Sequence, residues 1–291
     1  MTTDSVEMQD IRGLEIDKTV KGFADIEYIF KKDCLVNSTS SDAIRWYTKD
    51  SSHDALAPIP PQQTTNVSPL SEFPILELKW KRNTSYTRKY AVKGFFSMED
   101  IKTSDIDVLT QSIRDLTLHI VKQVDTRIYE ILDASGNQTF ATTAIGGDQW
   151  DAASAAGDPV KDLLHAKSLV EQKGYDGNRL VCYLHPVDAR NLLSWLIGGK
   201  GSSIPSFASE KVRTGTLMNL LGITIKVSPN ATQDQAILLI PQRSCTWKSV
   251  WNTTSAIIDH PGMGKEIRIW EEGEAIRTDP NSVVKITDLQ T

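Results

Sequence analysis

The chain has 291 residues, 40% hydrophobic and 24% charged, which supplies enough apolar material for one large or two modest packed domains. Its formal net charge of -5 argues against a surface built to grip nucleic acid, which normally carries a basic excess, but does not exclude a protein that encloses nucleic acid without gripping it. Cys34, Cys182 and Cys245 form an odd set without a CxxC pair, Met1 to Asp17 are polar, and no apolar run reaches the length of a membrane span. The expectation is a reduced, soluble, intracellular protein with no signal peptide and no membrane partner.

The first forty residues are polar and weakly patterned apart from Phe23, Ile26, Tyr28, Ile29 and Phe30. They predict an extended arm with a short helix around that patch. Ala43 to Lys49 are rich in β formers (Ile44, Trp46, Tyr47, Thr48) and predict a strand. Ser51 to Pro74 then break the pattern, with five prolines among Ser, Thr, Gln and Asn, and neither fill a core nor continue a sheet. Ile75 to Val92 predict a second strand, with Ile75, Glu77, Lys79, Lys81 and Asn83 on one face and Leu76, Leu78, Trp80 and Arg82 on the other. The two strands and their proline-bearing tip make an extended hairpin. Such a hairpin is marginal alone in water, so another surface must cover it.

Ile106, Leu109, Ile113, Leu116, Ile120, Val124, Ile128 and Ile131 recur every three or four residues, which is one face of an α-helix. Ser104 is placed as its N-cap with Asp107 three residues on, and Gly136 follows its end. Roughly 28 residues give a rod of about 42 Å, against the usual helix of about 11–12 residues. The pattern then alternates. Asp158-Pro159 opens a helix that Gly174 ends; Leu180 to Leu184 is a buried strand; His185-Pro186 opens a helix through Ile197. Gly198 to Ser209 is a Gly/Ser loop. Leu221 to Val227, Ala236 to Ile240, Trp247 to Trp251, Glu266 to Ile276 and Val283 to Leu289 read as strands, with a turn at Asp279-Pro280-Asn281. The fold class is α+β with a mixed sheet.

Signs of chemistry fail when measured against their motifs. Gly262-Met263-Gly264-Lys265 resembles the end of a phosphate loop, but Asp259 and Glu266 occupy positions that need Gly and Ser or Thr, so a turn is the expectation. The five histidines have no metal-ligand spacing, and no G-x-S-x-G elbow occurs. Cys182 sits in an apolar strand and reads as inert core. No catalytic residue, cofactor or metal site emerges. Lys79, Lys81, Arg82, Arg88 and Lys89, interleaved with Trp80, Tyr86 and Tyr90, form the one basic-aromatic stretch. It reads as a solvated strand face or a contact with an acidic neighbour ahead of a nucleic-acid surface.

The order of elements resembles the HK97-type major capsid protein of tailed viruses. Local phrases agree: Lys93-Gly94-Phe95-Phe96-Ser97-Met98-Glu99-Asp100 before the long helix; Leu180 to His185-Pro186; Gly215-Thr216-Leu217 and then Leu221-Gly222-Ile223-Thr224-Ile225-Lys226-Val227-Ser228; and Arg268-Ile269-Trp270 to Asp279-Pro280 and Val283 to Thr287. The resemblance covers nearly the whole chain. It implies an N-terminal arm (1–37), an E-loop hairpin (38–90), a P-domain with the spine helix (91–139), an A-domain (140–250) and return strands (251–291). It further implies a non-enzymatic subunit of pentamers and hexamers in an icosahedral virion, assembled in host cytoplasm around double-stranded DNA that it binds without sequence specificity. Trp46, Lys49, Trp80, Lys81, Arg82 and Arg88 are the expected inter-subunit contacts. With Met1 only about forty residues ahead of the hairpin, scaffolding is expected from a separate protein, alongside portal and decoration proteins. An encapsulin-like cargo shell is the close alternative, and a soluble α+β enzyme the distant one.

Overall fold

The computed structural model describes residues 18–24, 27–49, 72, 80–99, 106–152, 157–198 and 219–290. The chain divides into two compact units, the first made of Met1–Ile44, Ser85–Tyr129 and Thr246–Ile276 and the second of Arg45–Thr84, Glu130–Cys245 and Arg277–Thr291. The strands are β1 (Leu35–Ser38), β2 (Ala43–Lys49), β3 (Trp80–Tyr86), β4 (Arg88–Ser97), β5 (Gln138–Ala141), β6 (Leu180–Leu184), β7 (Asn219–Leu220), β8 (Ile223–Val227), β9 (Gln235–Leu239), β10 (Cys245–His260), β11 (Gly264–Arg277) and β12 (Val283–Thr287). The helices are α1 (18–24), α2 (Ile106–Leu132), α3 (Pro159–Gln172) and α4 (Pro186–Gly198).

The first unit is built on a four-stranded sheet of order β1-β10-β11-β4. β4 and β11 pair antiparallel in continuous register from Gly264↔Ser97 to Gly273↔Arg88. Alternation along β11 buries Ile267 and Ile269 and leaves Arg268 exposed, as period two requires of a sheet with one covered face. α2 lays Ile113, Thr117, Ile120, Val124 and Ile128 into this core. The expected stripe is shifted there: Thr117 is buried where Leu116 was expected, and Leu132 where Ile131 was. The hydroxyl of Thr117 donates to Ile113 O at 2.7 Å, which removes the cost of burying it and lets a polar residue occupy an apolar stripe.

The second unit is built on a six-stranded mixed sheet of order β5-β12-β9-β6-β8-β7. β6 pairs parallel with β8 and antiparallel with β9, and β12 pairs antiparallel with β9 and parallel with β5. All five β6 residues are buried, which explains a continuous apolar run without alternation. Leu163, Ala166 and Val170 of α3 and Leu192 and Leu196 of α4 join Cys182, Leu184, Ile223 and Leu238 in one core. Each fully buried aliphatic side chain there stabilises the unit by about 1.5–3 kcal/mol.

Helix ends follow the sequence signals. The Asp158 carboxylate accepts from Lys161 N at 3.3 Å ahead of Pro159, and Gly174 adopts φ +81° beyond the far end of α3. Asp158→Ala is expected to cost the second unit about 1 kcal/mol, read as a lower denaturation midpoint. The end of α2 carries a device the sequence did not announce. Gly136 takes φ +93°, and the Arg277 guanidinium donates to Ala134 O at 3.1 Å and Ser135 O at 3.0 Å, satisfying carbonyls left free by the helix.

Several boundaries differ from expectation. The strand expected over Ile75 to Val92 breaks at Thr87, whose N–H donates to Asp42 O at 2.9 Å, and β4 continues to Ser97; residues 73–79 lie outside the described set. β8 starts at Ile223, because Leu221 (φ 57°) and Gly222 (φ 80°) form a tight turn from β7. β10 runs 16 residues instead of the expected five-residue strand at Trp247 to Trp251, since Ser249, Asn252, Thr253 and Thr254 hide its alternation. Gly262 and Met263 sit in the turn before β11, as expected. Ser104, the N-terminal stretch before Lys18 and the loop after Gly198 lie outside the described residues.

Candidate assembly surfaces

β2 and β3 form a separate two-stranded sheet. Asn83 Nδ2 donates to Thr48 Oγ1 at 2.9 Å within it. Trp80 is 53% exposed and Tyr47 60% exposed, with Lys81 and Arg82 also in solvent. Trp46 is half-buried, and its indole N–H donates to Arg277 O at 3.2 Å, so this ring is fixed within its own subunit. Lys49 closes β2, and its side chain lies outside the described residues. The hairpin thus brings Trp46, Lys49, Trp80, Lys81 and Arg82 onto one small sheet.

Arg88 belongs to a different sheet. It begins β4, where its Nε lies 3.3 Å from Glu274 Oε2. Glu274 is fully buried and also takes two bonds from Arg127, at 3.0 Å (Nε) and 2.6 Å (Nη2). Arg127, with 17% of its side chain exposed, is the partner that matters; Arg88 is 56% exposed, where an ion pair contributes little.

The first unit presents further apolar surface that periodicity did not single out. Phe95, Met98 and Met263 are exposed around the β10–β11 turn, where Met98 N donates to Met263 O at 3.0 Å. Gly264 is required there, because a Cβ would lie 2.0 Å from Phe96 O. Nearby, Glu266 accepts from Arg268 Nε at 2.5 Å and faces Lys93 at 3.8 Å and His260 at 3.5 Å. The Arg268 hydrogen bond, aided by the charges of Arg268 and Lys93, holds its carboxyl below the usual range. Trp251 is exposed on β10 as well. The signal for these positions was alternation along β4 and β10, visible only once strand lengths are known.

Cys182 is wholly buried, and desolvation pushes its thiol up to about 12, which makes it a poor nucleophile. Among the described residues, no group of three or more His, Cys, Asp or Glu gathers to hold a metal, and no helix is long and apolar enough to cross a membrane.

An arm, a separate strand pair, a 27-residue helix and two sheets in this order define the HK97-type shell fold. The solved capsid of cyanophage P-SCSP1u is similar with TM-score 0.65 at 12% identity, over 89% of this chain and 88% of that one. The phage G structure of major capsid and decoration proteins is similar with TM-score 0.61 at 10% identity, over 91% and 90%. The virus-like particle from Pyrococcus furiosus is similar with TM-score 0.61 at 12% identity, over 94% and 99%. The family model for phage capsid proteins matches residues 83–280, and the chain belongs to that family. It is a structural subunit of a phage capsid. No curated protein matches the sequence.

Proposed function

We propose that the chain assembles into pentamers and hexamers that close an icosahedral shell around double-stranded DNA. The observation that carries this reading is the two-stranded β2–β3 sheet, which holds Trp80 and Tyr47 in solvent beside Lys81 and Arg82. A strand pair with exposed aromatic rings is marginal alone and gains stability when a neighbour covers it. Trp80, Lys81 and Arg82 are the proposed inter-subunit contacts, with Trp46 and Lys49 supporting the strand pair. Arg88, exposed at the start of β4, is a proposed inter-subunit contact as well.

The proposed division is an arm (1–37), an E-loop (38–90), a P-domain (91–139), an A-domain (140–250) and return strands (251–291). Many weak contacts repeated around a closed shell act together, so none needs to be strong. The net charge of -5 supports a wall that lets DNA slide instead of sticking. Assembly in host cytoplasm with separate scaffolding, portal and decoration proteins belongs to the same proposal, and the phage G assembly supports the decoration proteins. No catalytic role is assigned. The likeness to the Pyrococcus furiosus particle keeps a shell with protein cargo as the second reading, and contents distinguish the two.

Electron microscopy of the expressed full chain after size-exclusion chromatography tests the proposal. Closed shells or five- and six-membered rings are expected. Deleting Ser51–Pro74 is expected to leave a folded monomer that assembles poorly. Unimpaired assembly of that variant would remove the hairpin from the mechanism.

A further inference from the structure

Two buried carboxylates help hold residues 27–38 to the rest of the first unit. Asp125 of α2, 1% exposed, accepts from Ile29 N at 2.8 Å and Lys31 N at 3.3 Å. Glu271 of β11, fully buried, accepts from Lys31 Nζ at 2.5 Å, from Thr253 Oγ1 at 2.8 Å and from the Tyr28 hydroxyl. The segment then passes through a 3-10 turn (Lys31–Asp33) into β1, which pairs parallel with β10 from Leu35↔Thr246 to Ser38↔Ser249.

The charge count is uneven. Two carboxylates share one ammonium, that of Lys31, which lies 4.3 Å from the Tyr28 ring centroid and 5.6 Å from that of Trp247. The groups facing Asp125 are Tyr28 and Lys31 of the segment, with Glu271 of β11 across the Lys31 ammonium; β10 contributes the Thr253 hydroxyl and the Trp247 indole. A cleft of about 440 Å³ lined by Lys21, Lys31, Val36, Asn252 and Thr253 opens beside the pair.

The geometry points to a proton-linked latch: seating residues 27–38 takes up a proton at the buried Asp125 carboxyl, so the segment is held more tightly in mild acid than in mild alkali. This inference stands independently of what the shell encloses. Desolvation pushes the Asp125 carboxyl up to about 6 from its ordinary 3.8, against the opposing effect of the Ile29, Lys31 and Phe30 N–H groups and the Lys31 charge. Desolvation and the neighbouring Glu271 carboxylate push the Tyr28 phenol far up, so it remains a donor. A carboxyl raised in the seated state favours seating fully below its ordinary value, and that contribution is lost as pH rises through about 6.

Hydrogen exchange of the 29–38 amides in the full chain, corrected for intrinsic base catalysis, tests the latch. Between about pH 5 and about pH 8 the opening constant is expected to rise by about 10-fold. Asp125→Asn keeps the shape and one of the two acceptor oxygens but cannot titrate, so its opening constant, whatever its level, should be flat with pH. A flat wild-type profile overturns the latch, and so does an unchanged slope in a folded Asn variant. If that variant fails to fold, the wild-type profile decides alone.

Discussion

Glu274→Ala is expected to destabilise the first unit by about 3–5 kcal/mol, because it leaves the Arg127 guanidinium in the core without its counter-charge. Arg127 gives Glu274 two bonds from a site with 17% side-chain exposure, whereas Arg88 keeps access to water. The loss should therefore trace to Arg127. A urea titration of the unassembled chain reads it as a fall in midpoint with unchanged slope. Arg88→Ala should cost under about 1 kcal/mol. The double variant Arg127→Met, Glu274→Leu should recover most of the loss, since a matched apolar pair replaces a buried ion pair at little cost. A Glu274→Ala loss below about 1 kcal/mol would mean that water reaches Arg127 and that the pair is not buried in solution.

Trp247→Ala is expected to be comparably damaging, at about 3–5 kcal/mol, through the cavity it opens. Trp247 is fully buried, lies 6.4 Å from the Tyr90 ring between centroids, and sits over Gly273, where an added Cβ would come within 2.7 Å of its Cζ2. It also lies beneath the Lys31 ammonium at 5.6 Å, so its removal should loosen residues 27–38 as well. Calorimetry of wild type, Trp247→Ala and Trp247→Phe separates the volume lost from the position: the Phe variant should retain more stability, because it fills more of the site. Equal losses in the two variants would mean that the shape of the indole, and not the volume it fills, is what this core requires. Gly273→Ala should remain destabilising even beside a smaller residue 247, because the new methyl still meets Lys248 O at 2.6 Å.

These predictions concern residues that a linear reading passes over. Glu271 and Glu274 fall within the expected strand over Glu266 to Ile276, where the sequence reading did not single them out, and both are fully buried. Asp125 looks like an ordinary polar position on α2 and holds a segment almost a hundred residues earlier. Their roles depend on Lys31, Tyr28, Arg127 and Thr253, partners distant in sequence, and the local pattern carries no trace of such pairs.

The elements whose physics is local were legible. α2 follows from an apolar residue every three or four positions, β6 from an unbroken apolar run, and the start of α3 from a cap followed by proline. The order of those elements carried the resemblance to the shell family. Where burial is set by a distant partner, only the tertiary structure decided. It selected Thr117 over Leu116 because a hydroxyl can bond its own helix, extended β10 through Thr253 because Glu271 accepts its hydroxyl hydrogen bond, and fixed the Trp46 indole on Arg277 O. A polar side chain enters a core when a partner satisfies it, and that partner is chosen by the fold, not by its neighbours in sequence.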